Sequence, residues 1–324
     1  MLTGTLFALA AGLLWGLVFV VPLLLPDYPP ALLSTARYLA FGLIALPLAF
    51  LDRARLRELK RADWTEAAKL ALVGNLLYYL FLAAAIQRAG GPLPTVIIGT
   101  LPVVIAVASN LRDAQRDGSL PWLRLAPSLL LIAAGIALVN HAELQHLRSL
   151  QSVDLGRYAL GAALAVGAVA CWTWYPLRNA DWLRAHPERS PRVWATAQGV
   201  ATLPLSAAGL AVVWAGSSLG VTPFDMPLGP QPQRFLALML ALGLLASWLG
   251  GLCWNEASQR LPTALAGQLI VFETFAALAY AFALRGSVPP PPTVAGIVLL
   301  GAGVFWALRI RPEPPPEAGA GAPH

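Results

Sequence analysis

Charged side chains are scarce. Asp, Glu, Lys and Arg make up 12% of the 324 residues against 57% hydrophobic residues, and the mean hydropathy is +0.65. An ordinary soluble chain carries about 25% charged residues, so too few polar side chains exist here to coat a water-soluble domain. Cysteine is scarcer still: Cys171 and Cys253 both fall inside apolar runs, where they read as small packing residues and not as a disulfide. There is no Walker loop, no dinucleotide-type glycine fingerprint and no pair of histidines at i and i+4. His141 and His146 fall in one predicted outside loop, His186 in an inside loop and His324 in the tail, and all read as surface residues. Nothing in this pattern implies a cofactor, a metal site or an enzyme. The net charge of +6 and pI near 9.7 do not point to nucleic acid, because the basic residues sit in short loops between apolar runs, where their role is orientation.

What is present is a series of long apolar runs. Breaks of charge, proline and glycine divide the chain into ten candidate spans at 4–25, 30–51, 67–87, 92–110, 122–140, 156–177, 192–216, 234–255, 263–284 and 292–308. Most match the roughly 20 residues that a helix needs to cross about 30 Å of hydrocarbon. The expected fold is an all-α integral membrane protein of ten transmembrane helices. The first run lacks the basic n-region and cleavage site of a secretory signal and is expected to remain as the first span. Residues 311–324, rich in Pro and Gly, read as a disordered cytoplasmic tail.

Lysine and arginine fix the orientation. One set of loops holds basic residues such as Arg53, Arg55, Lys60, Arg112, Arg178, Arg189, Arg192 and Arg260, whereas the other holds only Arg88, Arg148, Arg157, Arg234 and Arg285. The asymmetry places the first set and both termini in the cytoplasm.

The two halves of the chain resemble each other. TVIIGTLPVVIAVASNLRD, from Thr95, aligns without gaps to QLIVFETFAALAYAFALRG, from Gln268, pairing Thr100 with Glu273. STAR ending at Arg37 pairs with ATAQ ending at Gln198, Gln87-Arg88 with Gln259-Arg260, Trp15 with Trp172, and AAG ending at Gly135 with GAG ending at Gly303. Each unit holds five spans, an odd number, so the second is inserted upside down. The predicted organisation is a first five-helix repeat over 1–145 and a second, inverted repeat over 155–310 around a central cavity. Inverted repeats with a midplane site at their interface mark secondary transporters.

The embedded polar residues carry the candidate site. Glu273 is the sole formally charged residue between Thr263 and Leu284, at a depth where an acid costs roughly 2.5 to 3.5 kcal/mol and points to function. It reads either as a protonation site or partner of a substrate amino group, or as a structural carboxyl bonded to a neighbouring helix. Arg37 reads as a bidentate partner of a substrate carboxylate, or as a side chain that snorkels or pairs within the bundle. Asn75, Tyr78 and Tyr79 share a helix face by their spacing, and the tyrosines lie too deep for an interfacial belt. Trp15, Thr100, Trp172, Trp248 and Gln268 complete the predicted substrate-binding set, whereas Trp174 and Tyr175 are assigned to the aromatic belt. Pro92, Pro94 and Pro102, with Gly243, Gly250 and Gly251, are points where helices bend or approach closely. The short links after Arg88 and Arg260 make two hairpins of like design, predicted as moving gates.

These motifs resemble the EamA-like branch of the drug/metabolite transporter superfamily: two five-helix units, Gln-Arg before a Pro/Thr-rich helix start, and AAG or GAG late in the fifth and tenth spans. Trp172 and Tyr175, with Trp254-Asn255 ahead of Thr263, are similar to the aromatic-amino-acid exporters of that superfamily. The resemblance implies a ten-helix bundle that moves amino acids or related metabolites outward across a bacterial inner membrane by alternating access. Relatives often have Glu-Pro in the ninth span; here Thr274 follows Glu273, so no proline kink is expected there. The predicted partners are a small-molecule substrate, the lipid bilayer and, at Glu273, protons, with no nucleic acid and no requirement for a dimer. A transporter of nucleotide-sugars, sugar phosphates or drugs is the alternative, and a membrane-embedded enzyme the remote one.

Overall fold

The structure is a computed structural model, and it describes residues 2–90, 92–112, 121–149, 154–221, 224–261, 263–286 and 288–310. The described residues form helices and connecting turns with no strand. We number the helices α1 (Leu2–Leu24), α2 (Pro30–Leu51), α3 (Arg61–Ala89), α4 (Pro92–Ile98), α5 (Leu101–Arg112), α6 (Trp122–Ser149), α7 (Leu155–Ala185), α8 (Pro191–Ser218), α9 (Pro232–Arg260), α10 (Thr263–Leu269), α11 (Val271–Arg285) and α12 (Pro291–Leu308). Eight stretches are long and apolar enough to cross a membrane, seven of them in α1, α2, α3, α6, α7, α8 and α9 and the eighth, Leu265–Leu284, running through α10 and α11. Leu101–Arg112 and Pro291–Gly303 are shorter apolar helices. The tail at 311–324 lies outside the described residues.

Local sequence explains where the helices begin. α2, α8, α9 and α12 each start on a proline, whose fixed φ suits a first turn and whose missing N–H costs nothing there. The Asp154 carboxylate caps α7, accepting from the backbone N–H groups of Gly156 and Arg157 at 2.9 and 3.1 Å.

Four interruptions inside otherwise apolar stretches shape the bundle. Leu70–Leu77 in α3 and Leu242–Leu249 in α9 are π-helical. They lie 172 residues apart, the spacing that separates Gln87 from Gln259. The ninth predicted span is broken at Ile270 without a proline, which corrects the expectation of one continuous helix; Glu273 sits in the first turn of α11 and still near the middle of the apolar stretch Leu265–Leu284. The fourth span breaks between Ile98 and Leu101, beside Pro102, one of the predicted bend points; there the Thr100 hydroxyl donates to the Ile97 carbonyl at 2.7 Å and the Thr100 carbonyl accepts from Val103 and Val104.

α1 packs on α9 and α11, α2 on α8, α3 on α7, and α6 on α12. The last pair approaches through glycine: a methyl on Gly135 would stand 2.6 Å from the Gly296 carbonyl oxygen. Such contact lets dispersion act between helices that have no hydrophobic drive to associate in lipid, and the Ser128 hydroxyl adds a hydrogen bond of 2.7 Å to the Gly303 carbonyl. α6 runs on to Ser149, so His141 and His146 belong to a helix and not to the predicted loop, because no breaker intervenes before the undescribed stretch at 150–153.

Candidate functional site

The π-helical segments and the α11 terminus converge on one narrow cavity. α1 contributes Trp15 and Val18, α2 contributes Arg37 and Tyr38, and α3 contributes Asn75 and Tyr78. α7 adds Trp172 and Tyr175, α9 adds Ala246, Ser247 and Gly251, and α11 adds Glu273. The space is about 20 Å³, enough for one water and too small for an amino acid without helix movement.

Glu273 is 1% exposed. Its Oε1 accepts from the Tyr78 hydroxyl at 3.2 Å, and its Oε2 has no hydrogen-bond partner of ordinary geometry. The break at Ile270 places the carboxylate at a helix N-terminus, where the backbone dipole favours negative charge.

Arg37, 3% exposed, donates from Nε to Ser247 Oγ at 3.2 Å, while its Nη1 has no partner. Its guanidinium lies 4.7 Å from the Tyr38 ring centroid and 4.4 Å from that of Tyr79, so cation–π attraction replaces part of its lost hydration. Among the described residues no ion pair joins Arg37 to Glu273 or to another acid. Arg37 is thus buried between the Tyr38 and Tyr79 rings and the Ser247 hydroxyl.

The rings form an ordered stack. Trp172 lies 4.6 Å from Tyr78 at 20° and 4.9 Å from Tyr175 at 4°, with Trp15 edge-on at 4.8 Å. Trp15 is held by its Nε1 donating to the Ala246 carbonyl at 2.9 Å, a carbonyl inside the π segment of α9. Tyr175 was assigned to the interfacial belt, but at 4% exposure it lines the cavity, its hydroxyl donating to Gln198 Oε1 at 2.9 Å. Its neighbour Gly74 explains the depth: a methyl there would collide with the Tyr175 ring.

Of the predicted set, Trp15, Arg37, Asn75, Tyr78, Trp172 and Glu273 meet around the cavity. Tyr79 is buried beneath the Arg37 guanidinium and outside the cavity lining. The Thr100 hydroxyl is spent on its own helix break. Trp248 lies in the π segment of α9 and outside the cavity wall, and the Gln268 side chain lies outside the described residues. Tyr38, Ser247 and Gly251 are lining residues that the sequence reading missed. For Ser247 the signal was its register, 172 positions from Asn75.

Below Tyr175 runs a buried polar chain: Gln198 Nε2 and Trp194 Nε1 donate to Asn179 Oδ1 at 3.0 and 2.9 Å, and Asn179 Nδ2 donates to Asn255 Oδ1 at 2.9 Å. It reaches the end of the bundle rich in basic loops, where Arg192 pairs with Asp52, Arg189 with Glu58, and Arg178 with both oxygens of Glu66 at 2.9 and 3.0 Å. His186, read as a surface residue, is 33% exposed, stacks on Trp182 at 4.5 Å and lies 3.8 Å from Asp63. At the other end the Tyr28 hydroxyl donates to the Leu228 carbonyl and accepts from the Gln231 N–H, each at 2.8 Å, with its ring stacked 4.9 Å from Phe235. Gln87 binds the Tyr28 carbonyl at 2.8 Å, and Gln259 binds the Arg189 carbonyl at 3.1 Å, so the two predicted hairpins are tied down in the same way.

Comparison with known proteins extends these observations. The chain is 54% identical over 315 residues to inner membrane protein YtfF of Escherichia coli strain K12, covering 97% of this chain and 98% of the relative. It is 30% identical over 161 residues to "Uncharacterized transporter sll0355" of Synechocystis sp. strain ATCC 27184, covering 48% of this chain and 47% of that one. A solved crystal structure shares the fold at a TM-score of 0.67 and 18% identity, over 94% of this chain and 96% of its own. The pattern of the EamA-like transporter family matches residues 2–141, and with the near-complete alignment to YtfF it establishes that the chain belongs to the EamA-like transporter family of the drug/metabolite transporter superfamily.

Proposed function

We propose that this membrane transporter exports zwitterionic metabolites, amino acids above all, across a bacterial inner membrane by alternating access between two inverted five-helix repeats. One observation carries the substrate reading: a buried acid and a buried guanidinium face one cavity unpaired, each with a free polar atom, Glu273 Oε2 and Arg37 Nη1. A ligand with an ammonium and a carboxylate satisfies both and removes the desolvation cost of each. A sugar phosphate or nucleotide-sugar would ask for more cations than Arg37 alone.

The matched π segments, the matched helix breaks and the equivalent Gln87 and Gln259 contacts support the inverted repeat, with units over 1–145 and 155–310. The basic loops support cytoplasmic termini, and the printed name of YtfF supports the inner membrane. Glu273, whose hydrogen bond comes from a neutral tyrosine, is then a site that a proton and a substrate ammonium occupy in turn. Export would run against inward proton movement.

Purified protein in liposomes loaded with unlabelled amino acids is expected to take up the same labelled amino acids by counterflow. Absence of counterflow with every amino acid, alongside flux of another solute, removes the substrate reading and leaves the transporter.

A further inference from the structure

The cavity is lined by aromatic rings, yet their arrangement does not suit an aromatic ligand. An aromatic ligand gains from a binding site chiefly by stacking on an exposed ring face. Here the faces are spent on the protein itself. Trp172 is stacked by Tyr78 at 4.6 Å and by Tyr175 at 4.9 Å. Trp172 is 5% exposed, so its stacked partners and the surrounding wall leave little of either indole face open. The Trp172 Nε1–H lies on the cavity side and makes no hydrogen bond of ordinary geometry.

The stack is also pinned at both ends. The Tyr78 hydroxyl is bonded to Glu273, the Tyr175 hydroxyl to Gln198, and the Tyr175 ring rests on Gly74, where even a methyl group has no room. Trp15, closing the indole edge, is anchored on the Ala246 carbonyl and tilted against Trp254 at 5.3 Å. The Tyr38 ring is taken by the Arg37 guanidinium. Each hydrogen bond fixes a ring in the orientation that stacks it on a neighbour, so opening a face for a ligand means breaking both contacts together. What the cavity offers is polar atoms converging on a small volume: Arg37 Nη1, Trp172 Nε1 and Glu273 Oε2.

We infer that the site selects amino acids with small aliphatic or hydroxylated side chains and rejects aromatic ones, an inference that rests on the zwitterion reading above. The head group of such a substrate occupies the free donors and acceptor, and its side chain needs no ring to stack on. Trp172 is the specificity-determining residue, because it is the ring on which both tyrosines stack.

The test is a counterflow panel on the full-length wild-type protein in liposomes, comparing alanine, serine, threonine and valine with phenylalanine, tyrosine and tryptophan. The small residues are expected to exchange at least about tenfold faster than the aromatic ones, the scale on which a pocket of fixed shape discriminates. Equal or faster exchange of phenylalanine or tryptophan overturns the inference and leaves the zwitterion reading standing; no exchange of any amino acid overturns both. In Trp172→Ala protein that remains monodisperse in detergent, phenylalanine exchange is expected to rise relative to serine, and an unchanged ratio overturns the role given to Trp172. Should that variant aggregate, the wild-type panel decides alone.

Discussion

Arg37 and Glu273, the two formal charges of the cavity, face the same 20 Å³ space and form no ion pair. Buried opposite charges that do not neutralise each other are costly, and such an arrangement persists where something else completes it. That relationship sets the first expectations.

Glu273→Gln keeps an acceptor for Tyr78 and removes the charge. A charge-assisted hydrogen bond contributes about 1.5–3 kcal/mol, so amino-acid counterflow should show an apparent affinity weaker by roughly 10- to 100-fold, with the detergent melting temperature little changed. The variant should also lose the response of exchange to an imposed pH gradient. Wild-type transport and pH response together would reduce Glu273 to a packing residue.

Arg37→Gln should raise the half-saturating concentration for amino acids by a similar factor and leave transport of their decarboxylated amines less affected. Arg37→Lys should not restore it, since a single ammonium replaces a planar donor set held over Tyr38 and Tyr79. Equal loss for amino acids and amines would assign Arg37 to the scaffold.

The fold was legible where composition is blunt. Apolar length located the helices. The break before Leu101 lies beside Pro102, a predicted bend point, whereas the π turns and the Ile270 break were not legible, because they leave no proline or charge in the sequence. Tyr175 was misplaced for a related reason: distance along a span says how deep a residue lies but not whether a glycine opposite, here Gly74, makes room to bury it. Glu273, Arg37, Tyr78 and Trp172 were legible because polar or amphipathic side chains deep in apolar runs stand out by cost alone.

Gly74→Ala tests that packing. With Tyr175 hemmed against the α3 backbone, overpacking should cost about 1–3 kcal/mol, seen as a lower melting temperature in detergent. Tyr175→Phe, which deletes the hydroxyl bonded to Gln198, should cost less than Gly74→Ala. A stable Gly74→Ala variant would mean that the Tyr175 ring moves freely.

Orientation is testable with single cysteines. In a background lacking Cys171 and Cys253, cysteines at positions 88 and 260 should react with impermeant maleimide from opposite sides of the membrane, position 88 from the periplasm. Labelling of both from one side would refute the inverted insertion.

At the end rich in basic loops, Arg192 with Asp52 ties the start of α8 to the end of α2. Because Arg192 is about half exposed, the pair should contribute only about 1 kcal/mol, so Asp52→Asn should change the rate of exchange more than stability. Exchange of the two residues, Asp52→Arg with Arg192→Asp, should restore part of the rate, and no recovery would argue that the pair does not govern opening.

The π turns of α3 and α9 give the cavity a mechanical property of its own. Each holds one residue more per turn than the α-helix on either side, and both present a cavity side chain, Asn75 and Ser247. If that surplus residue were handed along the helix, the segment it passed would rotate by about 100°, withdrawing one of these side chains while the helix ends stayed in place. The wall could then exchange a polar surface for an apolar one by local screw motion, without translating a whole helix through lipid.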